Sequence, residues 1–171
     1  MDALVPLSVV AAGLLTLAGA QKTVDPTMAV GALRALRVPA SAAAVRAGSL
    51  AELALGTGAI VSGGPVLWSL VAVSYLAFAA FVVVALRQGT MIGSCGCFGR
   101  EETPPHPTHV VLNLLLAAVG VIAAARSITP LEALLDHPGL FAATVPLVTI
   151  ALIGLHAAFV DLPRALRPAS R

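Results

Sequence analysis

The chain has 171 residues, 58% of them hydrophobic and only 11% charged, and its mean hydropathy is +0.97. Soluble domains carry about 25% charged residues, so these proportions exclude an ordinary soluble protein and point to one integral to a membrane. A net charge of +2 and an aromatic share of 4% leave no signature of nucleic-acid binding.

In chain order, the first apolar run covers residues 3–20, long enough to span a hydrocarbon core of about 30 Å. It ends on Leu17-Ala18-Gly19-Ala20, which could suit a cleaved leader. The residues ahead of it, Met1-Asp2, are acidic where a secretory signal is basic, so a retained helix is expected. Gln21-Lys22-Thr23-Val24-Asp25-Pro26 then reads as a polar break, with the proline favouring a turn or a new helix start. Residues 27–37 place Val30, Leu33, Arg34 and Arg37 at near-helical spacing. That segment is too polar to span and suits a short helix lying in the membrane interface, ended by Pro39.

A second span starts near Ala42 and carries Arg46 and Glu52. Ser62-Gly63-Gly64-Pro65 must turn, because residues 50–86 as one helix would run about 55 Å. The third span covers residues 66–86, with Trp68 near its start in the interfacial aromatic belt. A fourth covers about 108–125 and a fifth 140–160, separated by a polar connection over 126–139. The fold class expected is all-α: one integral membrane bundle of four to five transmembrane helices, with a short interfacial helix after the first. Its core lies at about residues 4–125, and the fifth helix is an addition to it.

Both cysteines of the protein lie in Gly93-Ser94-Cys95-Gly96-Cys97-Phe98-Gly99. Thiols one residue apart can pair if the backbone curls enough to bring their Cα atoms within about 4.4–6.8 Å. Gly96 permits that curl, having no Cβ. The ring so formed is small, and strained disulfides are the labile, more oxidising ones. Two other readings stay open: packed loop thiols, and part of a metal site. With His106 and His109 the cysteines make Cys-x-Cys-x8-His-x2-His, a set that zinc accepts tetrahedrally and whose thiolates suit Cu(I). The spacing is not that of a zinc finger, and redox chemistry ranks first. Arg100 and the start of the fourth span provide an electropositive setting that favours a thiolate, although Arg100 also reads as an ordinary interfacial arginine.

Lys22 and Glu52 stand where helices enter the membrane, and ionisable residues there pair or line a functional cavity. A structural Lys22–Glu52 ion pair is the leading reading, ahead of a proton relay or ligand site. Asp25 reads as a turn or cap residue rather than a catalyst. Asn113, a turn inside the fourth span, is placed to hydrogen-bond the cysteine loop or another helix.

Three motifs carry a family resemblance over about residues 4–125. Lys22-Thr23-Val24-Asp25-Pro26, Ala51-Glu52-Leu53-Ala54-Leu55-Gly56, and Cys95-Gly96-Cys97-Phe98-Gly99 with His109 and Asn113 resemble MauE, the methylamine utilisation membrane protein family. That family is similar in turn to the DoxX and DoxD membrane proteins. One departure is Leu112, where a basic residue often precedes the asparagine. The resemblance implies a bundle of four or five spans that serves the maturation of methylamine dehydrogenase beside a thioredoxin-like partner or within a membrane redox complex. It carries Lys22, Asp25, Glu52, Cys95, Cys97 and Asn113 over as functional positions.

The function expected is that of a thiol–disulfide oxidoreductase or electron-transfer component with Cys95 and Cys97 as the reacting pair. A metal-binding protein and a non-catalytic scaffold subunit are the alternatives. Membrane thiol oxidases use two cysteine pairs and a quinone, whereas this chain has one pair, so a quinone meets it directly or a partner supplies the second. Nine of the ten basic residues fall on the face shared by the cysteine loop and the C-terminal tail, with Arg126 alone opposite. The positive-inside rule then assigns that face to the cytoplasm of a multi-pass cell-membrane protein.

Overall fold

A computed structural model describes residues 4–88 and 105–165, with side chains through residue 154. Among the described residues there are seven helices and no strand: α1 (Leu4–Val24), α2 (Thr27–Ala35), α3 (Ala42–Val61), α4 (Pro65–Gln88), α5 (Pro107–Ala125), α6 (Pro130–Asp136) and α7 (Pro138–Ala165). The helices α1, α3, α4 and α5 are each long and apolar enough to cross a membrane. Helices suit that environment because every backbone polar group inside them is satisfied within its own segment. The cysteine loop, with Cys95, Cys97 and Arg100, lies outside the described residues.

Proline and polar side chains set the helix starts. Ser41 accepts a hydrogen bond from the Ala44 amide at 3.1 Å and so caps α3. Pro107 occupies the first turn of α5, where its missing N–H leaves nothing unsatisfied.

Helix α1 packs chiefly on α3, and α4 on α5, so the bundle is two antiparallel pairs. Both seams depend on absent side chains. A Cβ on Gly56 would lie 2.6 Å from the Ala12 carbonyl oxygen and 2.9 Å from the Thr16 amide, and one on Gly120 would lie 3.0 Å from the Ala72 amide. Backbone approach through small residues drives association where lipid is as apolar as leucine. Gly56→Val is therefore expected to push α1 and α3 apart and destabilise the bundle by about 1–3 kcal/mol. Gly48→Ala, where a Cβ meets nothing within 4 Å, serves as the neutral control in the same detergent-unfolding titration.

At one end, the turn after α3 passes through Gly63 and Gly64, both with positive φ. The Ile128 carbonyl between α5 and α6 accepts there from the Gly64 amide at 3.2 Å and from the Trp68 indole at 2.8 Å. Leu140 of α7 lines a small cleft with Val5, and Leu152 approaches Gly13. Hence α7 runs parallel to α1 and finishes at the opposite end, which also holds the end of α4 and the start of α5.

Three details differ from the sequence reading. Helix α1 runs on through Gln21, Lys22 and Thr23 instead of breaking at Gln21, because Thr23 Oγ1 donates to the Gly19 carbonyl and Lys22 is buried. The 126–139 connection contains α6. Trp68 is fully buried and not displayed to lipid, since its indole N–H has an acceptor inside the bundle. The short helix expected after the first span is α2, which packs Ala32, with Leu36 just past its end, against Phe81 and Ala85 of α4.

Candidate functional site

The end of the bundle that holds the α1–α2 junction and the start of α3 also holds the described basic residues Lys22, Arg34, Arg37, Arg46 and Arg87, and Arg126 sits at the other end. The close approach at this end starts with Gly19. A Cβ there would stand 2.6 Å from the Ser49 carbonyl oxygen and 2.7 Å from the Leu53 amide. With no side chain in the way, the two flanking turns bring Glu52 of α3 against Lys22 of α1. The ammonium Nζ stands 2.5 Å from Glu52 Oε2, with the two side chains 7% and 19% exposed. The same Nζ lies 4.8 Å above the centre of the Phe78 ring, a cation–π contact that gains strength when desolvated. Phe78 in turn meets Tyr75 edge to face at 6.1 Å, and the Tyr75 hydroxyl donates to the Ala11 carbonyl at 2.6 Å. Two charges from two helices are thereby locked to the aromatic row of a third.

Beyond the pair lies a cavity of about 370 Å³ between α1, α2, α3 and α4. Lys22, Glu52 and Ser49 form its polar part, and Leu33, Phe78 and Phe81 belong to its apolar wall. Ser49 Oγ donates to the Val45 carbonyl at 2.7 Å, which leaves its lone pairs able to accept. The cavity falls within the 300–1,000 Å³ range of small-molecule sites, with few polar groups in a mainly apolar lining.

Asp25 acts on the backbone. Its Oδ1 accepts from the Thr27 amide at 3.1 Å and from the Thr27 hydroxyl at 2.5 Å, which fixes the α1–α2 corner. Arg46 Nε donates to the Thr23 carbonyl at 3.3 Å and so satisfies the C-terminal turn of α1.

His106 and His109 open α5 as a reciprocal cap. The Thr108 amide donates to His106 Nδ1 and the His106 amide to His109 Nδ1, both at 3.2 Å. His109 is fully buried. While both Nδ1 atoms accept these bonds, each neutral ring carries its proton on Nε2, so a metal could take either histidine only by displacing the cap, and among the described residues no cluster of three metal-ligating side chains occurs. The Asn113 amide donates to the His109 carbonyl at 2.7 Å, a bond within its own helix. The structure thus brings Lys22 and Glu52 together and puts Asp25 at the adjoining corner. His106, His109 and Asn113 gather separately at the start of α5.

Phe78, Phe81 and Ser49 were not singled out by the sequence. A signal was present: Tyr75, Phe78 and Phe81 recur every three residues along α4, and Ser49 precedes Glu52 by three. Both spacings put side chains on one helix face.

Four apolar spans around a buried ion pair define a multi-pass helical membrane protein. Residues 2–126 match the family described as methylamine utilisation protein MauE. The chain belongs to that family. Comparison with curated proteins and with solved structures finds no match.

Proposed function

We propose that this MauE-family protein is a membrane thiol–disulfide oxidoreductase or electron-transfer component of methylamine utilisation, with Cys95 and Cys97 cycling between dithiol and disulfide. The observation that carries the reading is the placement of the protein's two cysteines, one residue apart, in the connection between α4 and α5. In the reducing direction, one thiolate attacks a sulfur of the partner's disulfide, forms a mixed disulfide and releases a partner thiolate. The second cysteine, deprotonated, then attacks the mixed bond and frees the other partner thiol. Two electrons pass from the dithiol to the partner's disulfide, and the reverse sequence oxidises the partner. The partner of this reading is a thioredoxin-like protein, and the cysteine loop faces the cytoplasm with the basic end of the bundle.

Trapping tests it. Cys97→Ser or Cys95→Ser should accumulate a reductant-sensitive adduct whose attached chain, by mass spectrometry, is thioredoxin-like. The doubly substituted chain should give none. Failure of both single variants to form an adduct, with methylamine dehydrogenase maturation intact, overturns the proposal. His106→Ala should leave trapping intact; its abolition, together with loss of bound zinc or copper, would favour the metal reading. His106 is the better probe of the two, because it is half-buried whereas His109 is fully buried.

A further inference from the structure

We infer that the cavity between α1, α2, α3 and α4 is a binding site for the head of a membrane-soluble para-quinone and its quinol. This inference is independent of the thiol chemistry proposed above, since every residue it uses lies outside the cysteine loop.

Charge selects the class of ligand. Lys22 and Glu52 cancel each other at 2.5 Å. A carboxylate or phosphate drawn to Lys22 would meet Glu52 at nearly the same distance, and an alkylammonium drawn to Glu52 would meet Lys22. A neutral head escapes both penalties. Hydrogen bonding narrows the class further. The ammonium has three N–H donors and one suffices for Glu52, so others can reach a ligand carbonyl. Glu52 has lone pairs to accept from a ligand hydroxyl, and Ser49 Oγ accepts as well. A quinone presents carbonyl acceptors and its quinol presents hydroxyl donors, so one ion pair recognises both forms.

Shape agrees with charge. Phe78 and Phe81 give the cavity flat aromatic surface against which a planar ring packs. The volume of about 370 Å³ holds a substituted six-membered ring and the start of an apolar tail. Ala44 and Gly48, on the exposed side of α3, stand at the rim. They belong to the first two turns of a span, the depth from which a tail passes into the bilayer.

The test is photolabelling of the full chain in lipid nanodiscs with an azido-substituted short-chain ubiquinone. Saturable labelling is expected on peptides from α2, α3 or α4, displaced by decylubiquinone but not by decanoate or decylamine. Lys22→Gln and Glu52→Gln should each weaken labelling about tenfold or more, the loss of a charge-assisted hydrogen bond. Either variant could disturb the fold, so Gly48→Leu is the second arm. A Cβ there meets nothing within 4 Å, and leucine is the better helix former. That variant should keep the wild-type unfolding midpoint and lose labelling. The Cys95→Ser/Cys97→Ser double variant should label like the wild type, which separates failure of the site from failure of thiol exchange. Absence of saturable labelling in the wild type, equal displacement by decanoate or decylamine, or full labelling of a folded Gly48→Leu would each overturn the assignment.

Discussion

Removing one member of the buried ion pair is expected to destabilise the bundle strongly: Glu52→Ala should lower the unfolding free energy by about 3–5 kcal/mol. The physical reason is what stays behind. Lys22 is buried, and without Glu52 the compensating contact left to its ammonium among the described residues is the Phe78 ring. Replacing both residues with apolar ones of similar length, Lys22→Met with Glu52→Leu, should recover most of the loss, because no uncompensated charge remains. The measurement is a double-mutant cycle on purified protein unfolded by increasing sodium dodecyl sulfate in mixed micelles. A Glu52→Ala variant within about 1 kcal/mol of wild type would mean that the pair behaves as a solvated surface bridge. A double variant as unstable as the single one would mean that the carboxylate matters for something other than its charge.

Trp68→Ala is expected to lower stability by about 3–5 kcal/mol, the range for emptying a large buried aromatic site. Trp68 is wholly buried among α1, α4 and the α5–α6 connection. Trp68→Phe retains most of the packing and removes the indole N–H. It should cost less, with the bond to the Ile128 carbonyl accounting for about 0.5–1.5 kcal/mol of that. The same micellar titration reads both variants, followed by circular dichroism because the chain's one tryptophan is the residue replaced. Equal losses for alanine and phenylalanine would shift the weight from packing to the hydrogen bond.

The spans were legible in the sequence because prolines and short polar breaks punctuate long apolar runs. Ala42, the Ser62–Pro65 turn and the start of α5 next to Pro107 fall where those signals put them. The Lys22–Glu52 contact was legible for a related reason: in a chain with so few charges, two opposite ones near neighbouring span ends have few other partners. Facing was not legible. Along α1 and α4 nearly every residue is apolar, so no polar stripe distinguishes the buried side from the lipid side. Trp68 therefore read as an interfacial anchor by depth alone. Its burial depends on an acceptor 60 residues later. The continuation of α1 past Gln21 was hidden because a buried lysine looks, in sequence, like the end of a span. Helix α6, Pro-Leu-Glu-Ala-Leu-Leu-Asp, is only seven residues long, too short for helical periodicity to register. The cavity was invisible because four helices build it and each contributes only a few residues.

The double acceptor at Ile128 also bears on how the protein is made. Trp68 and Gly64 leave the ribosome 60 and 64 residues before their common partner, an interval of roughly 3–12 s at 5–20 residues per second. Through that interval the indole N–H waits in or near the bilayer without its acceptor, although α1, α3 and α4 have already been synthesised. Ile128 lies just past residue 126, where the family match ends. A nascent chain that has completed every span of the matched region thus still lacks the carbonyl that fastens the α3–α4 corner to the end of α5. Closure of that end waits on the first residues translated beyond the match.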